Sequence, residues 1–247
     1  MPKLFKIRLF LVKPIYPYIC PMQSKLLAAF YEMIPETKKV MFDTIAADRT
    51  RHLTVVLENI YQEHNASAVM RSCESFGVQE LHVVESKNQY KVQRDIARGA
   101  GQWIELYNYS DGQTPLVDCI NGLKERGFCI AALTPDAGSH SIFDVPIDQP
   151  LALVFGTEWE GISDTVREMA DINVQIPMVG FTESFNVSVS VALSIQAIRH
   201  RLEKSDLHWK LSEEEQIDVK LDWCEHIMKN GNKVRAELNR RLTAVAE

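Results

Sequence analysis

Six short apolar runs, set apart by helix-like or polar stretches, constrain this chain more than any other feature. They are residues 53–57, 81–84, 103–107, 128–133, 151–155 and 172–176. The first and fifth, Leu-Thr-Val-Val-Leu and Leu-Ala-Leu-Val-Phe, are apolar almost throughout rather than alternating. That pattern belongs to strands buried on both faces. Residues 66–76, 115–126, 163–169 and 187–202 read as helices, the first two ending at Gly77 and Gly127, where a left-handed C-terminal cap is easiest for glycine. Strands alternating with helices predict an α/β fold, a mainly parallel sheet covered by helices on both faces.

Both ends of the chain read differently. Residues 23–34 and 36–46 form two short helical patterns divided by Pro35, and residues 212–241 form one or two charged helices carrying Ile217, Leu221, Trp223, Ile227 and Leu238. The expected organisation is a basic helical arm (1–52), an α/β core (53–204) and a helical tail (205–247). Within residues 1–21, Lys13, Pro14 and Pro17 interrupt the apolar stretch and no small-residue cleavage site follows. Met1 and Met22 stand as equal candidates for the start, residues 1–21 then being an over-called leader.

Charge is unevenly placed. The chain carries 27 Lys and Arg against 33 Asp and Glu, a formal charge of −6. Residues 1–52 nevertheless hold nine cations against four anions, whereas residues 53–198 hold eight against nineteen. A nonspecific nucleic-acid coat is excluded by the total, but local basic patches still suit a polyanion. Candidate phosphate contacts are Lys38, Lys39, Arg49 and Arg51 in the arm, and Lys87, Lys91, Arg94 and Arg98 in a polar stretch of the core. Five cysteines, odd in number and without a C-x-x-C pair, read as reduced thiols of a cytoplasmic protein. No apolar run is long enough to span a bilayer, so no membrane association is expected.

Several chemistries are excluded by missing motifs: a phosphate-binding Walker loop, a dinucleotide fingerprint, a serine-hydrolase elbow and a zinc-protease helix. Seven scattered histidines show no ligand spacing, so no metal is expected. What remains lies in the loops after the strands, where open parallel sheets bind ligands. After residues 53–57 come Asn65 and Arg71, six apart and read as near one helix face. After 151–155 comes Gly156-Thr-Glu158-Trp-Glu-Gly161, a carboxylate bracketed by glycines at a strand exit. After 172–176 comes a glycine-containing loop from Ile176-Pro-Met178 to Ser184-Phe185-Asn186-Val-Ser188. Each admits a plain structural explanation: Asn65 as an N-cap with Arg71 paired to Glu74, a tight turn at Gly156, and Asn186 as the N-cap of the following helix.

Taken in order, the three motifs resemble those of the SPOUT superfamily of methyltransferases, in its TrmH branch, over residues 53–204. The tail, Leu211-Ser-Glu-Glu-Glu followed by Trp223, is similar more weakly. Phe185 departs from the leucine common in relatives but stays apolar. The resemblance implies a C-terminal trefoil knot, which connection rules alone would reject, and a homodimer whose site is completed across the interface. It implies S-adenosylmethionine as co-substrate, held at Thr134, Gly156, Ile176, Met178 and Phe185, and no metal. It implies 2′-O-methylation of an RNA ribose, with guanosine-18 of the tRNA D-loop as the expected target. Ribosomal RNA methylation and a non-catalytic RNA-binding dimer are the alternatives. Catalytic residues carried over are Asn65, Arg71, Glu158, Ser184 and Asn186. The branch assigns deprotonation of the hydroxyl to the arginine, but a neutral guanidine is very costly, so Arg71 is read here as a clamp on the adjacent phosphate.

Overall fold

The computed structural model describes residues 21–85, 97, 99–110, 113–136, 138–157 and 159–244. These divide into two compact units, one running from Thr50 to Trp209, the other built from the residues up to Arg49 and those from Lys210 onward.

The first unit is a seven-stranded sheet. Its strands are β1 (Leu53–Glu58), β2 (Glu80–Val84), β3 (Glu105–Tyr109), β4 (Cys129–Leu133), β5 (His140–Ser141), β6 (Leu151–Phe155) and β7 (Ile172–Gln175). They lie in the order β3-β2-β1-β6-β4-β7-β5, and every pairing is parallel. Strands β1, β2 and β6 are buried along their whole length; the mostly apolar runs of β1 and β6 require it, whereas β2 also buries Glu80 and His82. Successive residues of β1 point to opposite faces. Leu53, Val55 and Leu57 enter a core completed by α3 (Glu63–Ser75) and α6 (Val187–Leu202). Val56 enters the opposite core, with α4 (Pro115–Glu125) and α5 (Asp164–Met169). The expected parallel sheet with helices on both faces is therefore present.

Some elements differ from the sequence reading. The third strand begins at Glu105 rather than Trp103, because a tight 3-10 turn at Ala100–Gln102, entered through Gly99 at φ +80°, consumes the preceding residues. The first core helix starts at Glu63, three residues early, so Asn65 sits in its first turn and is not its cap. The two-residue strand β5 carries no apolar signal and was not expected.

The second unit is built from helices on either side of the sheet unit in sequence: α1 (Pro21–Tyr31), α2 (Glu36–Ala46), α7 (Glu213–Ile227) and α8 (Gly231–Ala244). Phe30, Phe42 and Trp223 are buried, with the Phe42 and Trp223 rings edge-to-face at 5.3 Å. Ser212 opens α7 with a complete capping box, its hydroxyl accepting from Glu215 N while the Glu215 carboxylate accepts from Ser212 N. Asp43 accepts from Tyr31 Oη at 2.9 Å and pairs with Lys220 Nζ at 2.7 Å. Among the described residues, no helix is long and apolar enough to cross a membrane.

Candidate active site

Strands β1, β6, β4 and β7 are consecutive neighbours in the sheet and all run the same way. Their exits therefore share one rim, and the strand order reverses there, since the chain proceeds outward from β1 to β3 before returning to β4 beyond β6. All three sequence motifs, and Thr134 at the end of β4, leave from this rim.

The rim is stitched by side chains from distant parts of the chain. Asn186 Nδ2 donates to Asn65 Oδ1 at 3.1 Å, joining the first motif to the third. Asn65 in turn donates from Nδ2 to Gln62 Oε1 at 3.1 Å. Asn186 Oδ1 accepts from both Ser188 N, at 2.9 Å, and Ser188 Oγ, at 2.6 Å. The plain reading of Asn186 as N-cap of α6 and the functional reading thus describe the same side chain: its oxygen caps and its amide nitrogen holds Asn65. Asn65 is 1% exposed and Asn186 exposed, so the bond runs from the buried first turn of α3 out to the surface of the rim. Glu58, at the last position of β1, accepts from Ser163 N at 3.0 Å and ties the first strand exit to the base of the second motif. Glu58 and Gln62 were not singled out in the sequence. The available signal in the sequence was a carboxylate at the end of an apolar run, followed by an asparagine; the structure buries Glu58 and places Asn59 at φ +53°.

The second motif is a closed turn. Thr157 and Gly161 exchange reciprocal backbone bonds, Thr157 N to Gly161 O at 2.9 Å and Gly161 N to Thr157 O at 3.1 Å. Thr157 Oγ1 also accepts from Glu160 N at 2.9 Å. A methyl group on Gly156 would lie 1.9 Å from the Gly161 carbonyl oxygen, so only glycine fits there. Gly161 itself has φ +69°. Glu158, within this turn, lies outside the described residues, as do Lys87, Lys91, Arg94 and Arg98.

Placement of the other expected residues is mixed. Asn65 and Arg71 do not share a helix face. Six residues advance a helix by about 9 Å and about 240°, so Asn65 points inward while Arg71 is exposed. Among the described residues, the Arg71 side chain makes no hydrogen bond or ion pair, and its guanidinium is available to a ligand. Ser184 and Phe185 are exposed, Ile176 and Met178 half-buried, and Thr134 buried, with its hydroxyl accepting from Asp136 N at 3.3 Å. Residues 177–185 make no hydrogen bonds among the described residues, so their backbone N–H and C=O groups remain open at the rim.

Two of the expected phosphate contacts are corrected. Arg49 is 1% exposed, its guanidinium 5.4 Å from the centre of the Trp223 ring inside the helical unit. Arg51 pairs with Glu80 at 2.9 Å and Glu105 at 2.5 Å within the sheet unit. Both cations are used internally; buried anionic and aromatic partners attract them more strongly than their linker position suggests. Lys38 and Lys39 are half-buried on α2, and Lys39 pairs with Glu36 at 2.9 Å. No cluster of three or more His, Cys, Asp or Glu suited to a metal occurs among the described residues.

Comparison with known proteins places this arrangement. Residues 52–196 match the SpoU rRNA Methylase family. A tRNA (guanosine(18)-2'-O)-methyltransferase of Borreliella burgdorferi is 35% identical over 206 residues, covering 83% of this chain and 93% of its own length. The enzyme of the same description from Thermus thermophilus is 33% identical over 168 residues, 68% of this chain and 84% of its own. Among solved structures, the A. aeolicus TrmH/SpoU tRNA modifying enzyme superimposes with a TM-score of 0.70 at 28% identity, covering 78% of this chain and 98% of that one.

Proposed function

Since the chain belongs to the SpoU rRNA methylase family, we propose that it transfers a methyl group from S-adenosylmethionine to a ribose 2′-oxygen of tRNA, with guanosine-18 as the target. The observation that carries this reading is the side-chain bond between Asn65 and Asn186. It joins the first and third motifs, 121 residues apart, beside the turn of the second. The relatives from Borreliella burgdorferi and Thermus thermophilus are described as acting on guanosine-18.

The rim fits the donor. A nucleoside needs an apolar slot and main-chain partners; half-buried Ile176 and Met178, buried Thr134 and the open main chain of 177–185 provide both. Phe185 and Gly156 complete the proposed donor site. When bound there, S-adenosylmethionine supplies an electrophilic methyl group on a sulfonium. The trefoil knot and the homodimer implied by the resemblance belong to this proposal, as does the division into arm, core and tail. Its setting is the cytoplasm, where tRNA is modified.

The chain's own residues supply alignment and charge. Arg71 offers a planar fork of donors to a phosphate flanking the target ribose, bidentately. Asn65, fixed by Gln62 and Asn186, holds the start of α3 and with it the origin of that guanidinium. Glu158 and Ser184 line the approach of the hydroxyl, and Asn186 orients the ribose. The RNA must present this sugar unpaired, because the reacting oxygen has to enter the rim.

The deciding experiment is methyl transfer to total RNA from cells lacking this protein, followed by mapping of the modified nucleotide. A 2′-O-methylated ribose in the tRNA fraction is expected. A methylated base overturns the reading, and label confined to ribosomal RNA favours the rRNA methylation of the family's name.

Arg71→Ala is expected to lower kcat by about 10²-fold or more, as removal of an oriented charged donor does. Arg71→Lys should recover little of it, since an ammonium cannot reproduce the fork; near wild-type turnover in Arg71→Lys would sink the clamp. Together with Lys87, Lys91, Arg94 and Arg98, Lys38 and Lys39 are the proposed phosphate contacts. Replacing both Lys38 and Lys39 with Ala should flatten the dependence of log Kd on log salt by about one to two units. An unchanged slope removes α2 from the RNA footprint.

A further inference from the structure

Trp159 is 87% exposed, whereas Trp209 and Trp223 are 5% and 3% exposed. It is carried by a bonded turn. It lies between Thr157 and Gly161, whose reciprocal backbone bonds close the turn, and beside Glu160, whose N–H is held by the Thr157 hydroxyl. The absence of a side chain at Gly156 lets this turn fold back onto its own base. A large ring held out into water by a bonded turn presents an open π face to a ligand.

A second ring occupies the matching place on the neighbouring strand exit. Leu57 of β1 and Phe155 of β6 are register partners. Tyr61 follows Leu57 by four residues and Trp159 follows Phe155 by four. Tyr61 is 67% exposed, and it directly precedes Gln62, whose carbonyl holds Asn65. The two rings thus follow the exits of adjacent parallel strands at the same distance in sequence, one beside the first motif and one within the second.

We infer that Tyr61 and Trp159 form a stacking platform for an unpaired RNA base next to the methylated ribose. The inference rests on the RNA-methylating reading above and adds to it a binding element. A ribose can reach the rim only if its nucleotide leaves the helical stack, and that unstacking costs a few kcal/mol. Two flat rings fixed at the rim return the lost stacking with little dependence on base identity, because every base presents a π face. Neither ring touches the reacting atoms; both act on the binding of RNA.

The test uses the full chain, saturating S-adenosylmethionine and a synthetic stem-loop RNA. Trp159→Ala and Tyr61→Ala should each raise KM for this RNA about five- to tenfold, as loss of one base–aromatic stack does, with kcat changed by less than about twofold. Trp159→Phe should keep KM near wild type. Wild-type tryptophan emission should be quenched by the stem-loop, and this quench should vanish in Trp159→Phe. An unchanged KM in Trp159→Ala overturns the platform while leaving the methylation reading intact. Loss of self-association by sedimentation in Trp159→Ala also overturns it, because the ring would then belong to a contact between copies. If the wild-type chain transfers no methyl to RNA, the reading falls and the platform with it.

Discussion

Gly156→Ala is expected to reduce kcat/KM by about 10²-fold or more, the scale set by roughly 1 Å of displacement in a reacting geometry. The added methyl would meet the Gly161 carbonyl oxygen at 1.9 Å and the Gly161 carbonyl carbon at 2.1 Å, and both are backbone atoms. No rotamer change can relieve that contact, so the turn must open. Opening it breaks the Thr157–Gly161 exchange and shifts the segment bearing Glu158 and Trp159. The fold itself should survive, because β6 remains fully buried against β1 and β4. Methyl-transfer kinetics alongside a denaturant titration separate these effects. A variant with near wild-type kcat/KM would mean that the turn has no part in the chemistry.

The largest stability effect should come from Glu80, far from the rim. Its carboxylate is 2% exposed at the start of β2. It accepts two bonds from Arg126 Nη2, at 2.9 and 2.7 Å, and one from Arg51 Nε at 2.9 Å. Arg51 continues to Glu105, whose second oxygen accepts from Tyr107 Oη at 2.7 Å. His82 Nε2 lies 3.4 Å from Glu80 Oε2, near enough to feel its charge but poorly placed for a good hydrogen bond, and the ring stacks on Tyr107 at 4.8 Å. Burial pushes the Glu80 carboxyl upward, but His82, Arg126 and Arg51 together outweigh it and hold the group well below the usual carboxylate range. Burial drives the His82 imidazole downward, against the pull of Glu80.

Glu80→Gln leaves two guanidiniums facing a neutral amide. Removing one partner of a buried ion pair costs about 3–5 kcal/mol. Arg51 and Arg126 retain some solvent, at 17% and 29% side-chain exposure, so the lower end, about 3 kcal/mol, is expected. Urea unfolding near pH 7.5 measures it, and a loss below about 1 kcal/mol would show that the network is not coupled to folding. Both native pKa values are depressed, so both groups stabilise the fold above their unfolded pKa values and lose that contribution as pH falls. Wild type should weaken from about pH 6.5 downward as the unfolded histidine takes up protons, and further below about pH 4.5 as unfolded Glu80 does. In Glu80→Gln the second phase should be reduced.

The sheet could be read in advance because its signal is local. Buried parallel strands are written as continuous apolar runs, and 53–57 and 151–155 needed no distant information. The rim was legible for the same reason, since a glycine that must lack a side chain and an asparagine that caps a helix are local demands. Arg49 shows where this stops. It sits in a basic linker and looks solvated, yet its ring partner Trp223 lies in the tail, and nothing near Arg49 in sequence announces it. Arg51 was misread likewise, because its anionic partners Glu80 and Glu105 come from two later strands. Asn65 looked like a cap because caps are common for asparagine. Only the fold reveals that Asn186 comes to meet it.

The segment 177–185 joins β7 to α6, anchored at one end by the sheet and at the other by the Asn186 cap, without internal hydrogen bonds among the described residues. Mutations inside such a span leave the anchors untouched. Side chains there can therefore change without breaking a hydrogen bond that holds the rim together, whereas a change in the first or second motif disturbs bonds to other parts of it.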